Sequence, residues 1–243
     1  MRAPEVHRYL DADDLADGAA ARLLQRLVEL QRGGRVAELC LTGGRIALAM
    51  YTRLGQLVEG SELDPERLEL WWGDERFVPT GDPTRNAGPT FAVLAGHFPM
   101  DPSRTHPMPA ADGVVDADAS AATYAKELGE TVFDICLLGM GPDGHVASVF
   151  PDHPSFAVTE PSVIAVIDSP KPPDERISLT VPALQRSREV WFLVNGADKA
   201  ASVARAVAGD PALPAGAVKG RERTLWFLDQ GAAADLPYFT CRY

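Results

Sequence analysis

FDICLLGMGPDGHVASVFP, residues 133–151, is the stretch on which the reading of the fold turns. An apolar run ends on three glycines within six positions, Gly139, Gly141 and Gly144, and His145 follows directly. A run with no polar alternation reads as a strand covered on both faces, and such strands belong to parallel sheets wrapped by helices. The glycines mark the end of that strand as a turn where the backbone can pass close to a ligand. The segment from His145 to Ser148 reads as the start of a short helix.

The same grammar recurs along the chain. RVAELCLTGG (35–44), LELWWGDERFVP (68–79), EVWFLVNG (189–196) and TLWFLD (224–229) are apolar runs closed by glycines or charges, and SVIAVID (162–168) and RISLTV (176–181) are further strand candidates. Between them lie helical patterns at 12–31, 45–58, 88–98, 116–130 and 197–209; the first carries Leu15, Ala19, Leu23, Leu27 and Leu30 at helical spacing. Strands alternating with helices predict an α/β fold with a largely parallel sheet covered on both faces. The Pro-rich pieces THPMPAADG (105–113) and SPKPPDER (169–176) read as surface loops, and residues 1–243 as one domain.

Composition narrows the function. Hydrophobic residues at 46% and charged residues at 23% are those of a folded globular chain. A formal charge of −11 argues against nucleic acid or an anionic membrane as the general partner, so an anionic ligand must be held by a local cation cluster. No apolar stretch approaches the length of a membrane span and no targeting segment is recognised, which predicts a cytoplasmic protein. Cys40, Cys136 and Cys241 are odd in number and far apart, and read as reduced, buried hydrophobes; no His or Cys spacing suggests a metal site. With no coiled-coil pattern, a monomer is the expectation.

Ligands of open parallel sheets bind beyond the carboxyl ends of the strands. Four such ends carry polar, glycine-marked loops: Thr42-Gly43-Gly44-Arg45, Gly73-Asp74-Glu75-Arg76, Gly139 to His145, and Asn195 to Lys199. Together they predict one composite site. Two glycines opening a helix favour a phosphate; a second cluster, Asp82, Thr84, Arg85 and Asn86, adds groups suited to a sugar phosphate. His145 stands apart from the other four histidines because a ring held on a glycine turn can take a proton from water and return it to a leaving oxygen. Asp143 and Ser148 are close enough in sequence to orient it, and N–H groups between Gly141 and Gly144 are candidate oxyanion donors.

LTGG, WWGDERFVP, DPTRNAG, LLGMGPDGHVASVFP, RISLTVPAL and LVNGADKA, in that order, resemble the 6-phosphogluconolactonase group of the glucosamine-6-phosphate isomerase/6-phosphogluconolactonase family. The resemblance spans roughly residues 5–230. It implies a three-layer α/β sandwich of the NagB/RpiA/CoA-transferase type and hydrolysis of 6-phospho-D-glucono-1,5-lactone without an obligatory cofactor. It also implies His145 as catalytic residue with Asp143 beside it. Thr42, Gly43, Gly44, Arg76 and Lys199 would hold substrate or phosphate, with Arg45, Asp74 and Asn86 as further candidates. Many members read Ser-Gly-Gly-Ser-Thr-Pro where this chain reads Thr-Gly-Gly-Arg-Ile-Ala, so Arg45 either substitutes as a cationic partner or points away. Three other readings compete with the lactonase. A deaminase would follow its histidine with a GHIAFNEP-type block, whose glutamate is missing from HVASVFP. A non-catalytic sugar-phosphate-binding protein would leave His145 a mere contact. A dinucleotide-dependent dehydrogenase would need a GxGxxG turn, and the first loop has only two adjacent glycines.

Overall fold

The structure is a computed structural model and describes residues 3–97, 99–113 and 116–237. Its strands are β1 (Glu5–Tyr9), β2 (Ala37–Leu41), β3 (Leu68–Trp72), β4 (Asp74–Arg76), β5 (Thr105–His106), β6 (Ile135–Gly139), β7 (Val163–Val166), β8 (Arg176–Leu179), β9 (Glu189–Val194) and β10 (Arg223–Asp229). The helices are α1 (Ala12–Gln31), α2 (Arg45–Val58), α3 (Ala87–Leu94), α4 (Ala117–Leu128), α5 (Pro154–Ala157), α6 (Val181–Leu184), α7 (Ala200–Val207) and α8 (Pro214–Ala217).

Seven strands form one sheet in the order β1-β10-β9-β6-β2-β3-β5, every neighbouring pair parallel. The sheet divides two apolar layers, which explains the unbroken apolar runs. Along β9, Trp191 and Leu193 pack with Leu23, Leu27 and Met50 of α1 and α2, while Val190, Phe192 and Val194 pack on the other face with Tyr124, Ile177 and Val203. Successive side chains point to opposite faces, and here both faces are dry. The result is the expected three-layer α/β sandwich.

The structure departs from the sequence reading in five places. SVIAVID and RISLTV do form strands, β7 and β8, but they pair antiparallel with each other and with β4 in a separate three-stranded sheet. WWGDERFVP is therefore two strands broken at Gly73. THPMPAADG contributes the edge strand β5, and β1 precedes the first helix. The short helix expected after His145 is instead a tight turn: the β-branched Val146 and Val149, both fully buried, face each other in an isolated bridge, with Ala147 at φ 49°. Cys40 and Cys136 are free, buried register partners on β2 and β6, and Cys241, like Phe98 of the 88–98 pattern, lies outside the described residues. Among the described residues no helix is long and apolar enough to cross a membrane.

The strand order locates the site. From β2 the chain moves outward to β3, whereas from β6 it moves the opposite way to β9. At such a switch point the adjacent carboxyl-end loops diverge and leave a crevice. The two flanking loops are Thr42–Gly44 and Met140–His145, the pair marked by glycines.

Candidate active site

A cavity of about 220 Å³ opens at that switch point. Loops after β2, β3, β6 and β9 all reach it. Thr42, Gly43, Gly44, Arg45, Asp74, Arg76, Asn86, His145 and Lys199 line it, and Asp143 stands behind His145. The topology thus brings the four glycine-marked loops to the rim of one cavity.

His145 is placed by its glycine loop. A Cβ built on Gly141 would lie 2.0 Å from His145 Cε1 and 2.1 Å from Nδ1, so the imidazole occupies the space any side chain there would need. Asp143 Oδ1 lies 2.6 Å from His145 Nδ1. An ionised carboxylate only accepts, so this contact places a proton on Nδ1 and leaves Nε2 as the lone-pair nitrogen. Among the described residues Nε2 has no protein partner, and the ring borders the cavity. Burial by itself would raise the Asp143 carboxyl; the hydrogen bond and charge of His145, with Lys171 nearby, outweigh it and hold the group well below the ordinary carboxylate range. Ser148 does not touch the ring, contrary to expectation: its hydroxyl donates to Asp74 Oδ2 at 2.7 Å. Two of the candidate oxyanion donors are also otherwise engaged, since Gly141 N–H bonds to His145 O and Gly144 N–H to Gly141 O.

The Asp-Glu-Arg run divides by strand alternation. Asp74 and Arg76 border the cavity; Glu75, fully buried between them, accepts from the N–H groups of Arg76, Asn86 and Ala87 and pairs with Arg85 at 3.5 Å. Burial raises its pKa against the pull of those donors. Glu75 is therefore the anchor of the 84–87 segment. Asn86 so held donates to Asp74 O at 2.9 Å. Arg76 donates to Thr84 O, and its buried Nε has no partner among the described residues.

Cations dominate the rest of the rim. Arg45, at the start of α2, is exposed and makes no hydrogen bond or ion pair among the described residues. Gly44 caps that helix at φ 100°, a conformation suited to glycine, and among the described residues no side chain caps its first turn. Lys199 is half-buried, and burial lowers its pKa, as do the charges of Lys171 and Arg45, against Asp198 and Asp229. Thr42 braces the scaffold, because its hydroxyl oxygen accepts from Gly139 N–H at 3.4 Å and so links the two switch-point loops.

Sequence reasoning offers residues 168–176 by composition as a candidate loop over the site but singles out neither Lys171 nor Arg176. Both belong to SPKPPDER, which proves to be no mere surface loop, because Lys171 Nζ stands 3.2 Å from His145 Nδ1 and Arg176 borders the cavity. The two adjacent prolines next to a lysine were the available signal. Among the described residues no group of three His, Cys, Asp or Glu side chains is disposed to hold a metal ion.

Comparison with known proteins bears on what these groups serve. The family profile described as glucosamine-6-phosphate isomerases/6-phosphogluconolactonase matches residues 10–226. A 6-phosphogluconolactonase of Streptomyces coelicolor is 47% identical over 248 residues, covering 96% of this chain and 95% of the relative. The human 6-phosphogluconolactonase is 35% identical over 219 residues, covering 81% and 84%. The solved 6-phosphogluconolactonase of Thermotoga maritima superposes with TM-score 0.83 at 26% identity over 93% of this chain and 99% of its own. A monomeric glucosamine-6-phosphate deaminase superposes with TM-score 0.80 at 20% identity over 95% and 99%, a likeness of fold alone.

Proposed function

The chain belongs to the glucosamine-6-phosphate isomerase/6-phosphogluconolactonase family, and from that premise we infer that it hydrolyses 6-phospho-D-glucono-1,5-lactone to 6-phospho-D-gluconate in the oxidative pentose phosphate pathway. It is a carboxylic ester hydrolase acting on a sugar phosphate. The observation that carries the mechanism is His145, tied to Asp143 through Nδ1, with Nε2 open to a cation-rimmed cavity.

A δ-lactone is an activated ester, so a positioned water and a base suffice. Nε2 of His145 takes a proton as the water oxygen bonds to C1 and the carbonyl electron pair moves onto its oxygen. Collapse of the tetrahedral adduct breaks the bond from C1 to the ring oxygen, and the imidazolium returns the proton to that oxygen. Asp143 holds the tautomer and balances the transient charge. A positioned base of this kind contributes about 10²–10⁴-fold.

The phosphate binds to Arg45, Arg76 and Lys199, with the uncapped first turn of α2 and the Gly43 and Gly44 amides aimed at it. The orphaned Nε of Arg76 supports this role, because a substrate oxygen would satisfy it. Asp74, Asn86 and the remaining Thr42 hydroxyl proton face the sugar. Anchoring at the remote phosphate converts binding energy into orientation of the carbonyl. The whole chain serves as one lactonase domain, a cytoplasmic monomer that needs neither cofactor nor macromolecular partner.

The test is lactone hydrolysis in a coupled dehydrogenase assay with background hydrolysis subtracted. His145→Ala is expected to lose about 10²-fold or more in kcat, and near-normal turnover overturns the base assignment. Lys199→Ala is expected to raise KM more than it lowers kcat; an unchanged KM removes Lys199 from the phosphate site.

A further inference from the structure

Lys171 approaches the catalytic pair from behind. It lies on the β7–β8 loop and does not line the cavity, yet its Nζ is 3.2 Å from His145 Nδ1 and 3.5 Å from Asp143 Oδ1. Its backbone is fixed in advance. Arg176, 5% exposed, donates from Nη2 to Lys171 O at 2.9 Å and Pro172 O at 3.1 Å, and from Nε to Pro173 O at 3.2 Å. Ser169 Oγ donates to Lys171 O at 2.9 Å, and two consecutive prolines restrict the chain that follows.

Nδ1 of an imidazole either donates or accepts, never both. The 2.6 Å contact with Asp143 makes it a donor. Lys171 therefore cannot donate to it, and the 3.2 Å approach sets an ammonium against an N–H with one carboxylate oxygen shared between them. When Nε2 gains a proton the ring becomes a second cation at that oxygen, and the two positive charges repel. Other charged groups about the ring are Arg176, which lies over Phe150 beside it, and Asp74, Arg45, Arg76 and Lys199 around the cavity.

We propose that Lys171 is a positioning residue that keeps His145 neutral between turnovers and drives the imidazolium to return its proton to the departing ring oxygen. The proposal rests on His145 being the base. A half-neutralised Asp143 still selects the Nδ1–H tautomer, but it stabilises the imidazolium less than a lone carboxylate would. The pair thus favours a base that lets go of its proton.

The test is the pH dependence of kcat/KM for wild type, Lys171→Met, Lys171→Gln and Lys171→Arg at one ionic strength. The neutral variants are expected to move the acid limb upward by about half to one pH unit, after allowing for the solvent around the lysine. Lys171→Arg is expected to restore the wild-type position. A ¹⁵N NMR titration of the His145 ring should show the same shift without reference to turnover. A lysine that merely braces the loop would lower the rate at every pH and leave the limb in place, and that result overturns the proposal, as does an equal shift in Lys171→Arg. If His145→Ala retains activity, the base assignment itself has failed; an unmoved limb in an enzyme still dependent on His145 refutes the role of Lys171 alone.

Discussion

His145 and His106 each hold a carboxylate oxygen 2.6 Å from Nδ1, and what separates them is the other nitrogen. In His145, Nε2 is left for the cavity. In His106, at the β3–β5 edge of the sheet, Nε2 meets Glu69 Oε1 at 2.7 Å while Nδ1 meets Glu127, and the ring stacks on Trp71 at 3.8 Å. Two acceptor-only partners require both nitrogens to carry hydrogen, so His106 is held as an imidazolium. Burial and a carboxylate partner are common to both sites. A histidine with one nitrogen tied is poised to move a proton, and one with both tied is a staple between β5, β3 and α4.

The comparison breaks first at the loop that aims His145. Gly141→Ala would put a Cβ in the volume of the imidazole, so activity is expected to fall as far as in His145→Ala, about 10²-fold or more, with circular dichroism unchanged. Turnover near wild type would mean the ring works from another position. Asp143→Asn comes next: an amide in place of the carboxylate no longer selects the Nδ1–H tautomer, and kcat is expected to drop on the order of 10²–10⁴-fold. His106→Gln in the same assay should leave kcat within about twofold, since a ring without a free nitrogen has no proton to carry. A large loss there would erase the distinction.

Much of the candidate site is visible in the residues alone, because glycine turns after apolar strands signal backbone approach and strand direction sends them to one edge. Thr42 to Arg45, Asp74, Arg76, His145 and Lys199 come together for that reason. What escapes is anything decided by pairing. RISLTV looks like any other apolar run, and its antiparallel partnership with Asp74–Arg76 and Val163–Val166 rests on register, which periodicity does not encode. That misplacement hides Lys171 and Arg176, since only the small sheet carries their loop over to His145. Ser148 fails differently: a three-residue spacing suggests a contact with the ring, but the turn between Val146 and Val149 sends the hydroxyl to Asp74. His106 is invisible as a staple because Glu69 and Glu127 are 37 and 21 positions away.

Titration sharpens the contrast because the two sites respond to pH in opposite senses. At His106 burial opposes the charge, but the hydrogen bonds its ring donates to Glu127 and Glu69 prevail and its pKa is raised above the ordinary 6.5. A raised folded-state value means its stabilisation is full below about 6.5 and fades as pH rises through the folded value. Asp143 is depressed, so its contribution is present above its ordinary 3.8 and is lost as pH falls further. Thermal melts should therefore show His106→Gln about 2–4 °C below wild type near pH 6, equivalent to about 1 kcal/mol in a chain of this length, with the gap closing in alkali. The gap for Asp143→Asn should close in acid instead. Parallel pH trends for the two variants would show that the carboxylate contacts do not govern either histidine.

The finest test separates the two carboxylates of the staple. Glu127 is 44% exposed at its side chain and among the described residues bonds His106 alone, whereas Glu69 is 17% exposed and also accepts from Arg104 at 2.9 Å. Solvent screens the outer pair, and the amide oxygen of Glu127→Gln can still accept from Nδ1–H, so the expected loss is below about 0.5 kcal/mol and within about 2 °C in melting temperature. Glu69→Gln should cost more, because it weakens two partners in a drier setting. Asp143, at 37%, is nearly as exposed as Glu127, yet its substitution is expected to cost catalysis by orders of magnitude. Should Glu127→Gln destabilise the fold as much as Glu69→Gln, the outer carboxylate would be holding α4 to the sheet by itself.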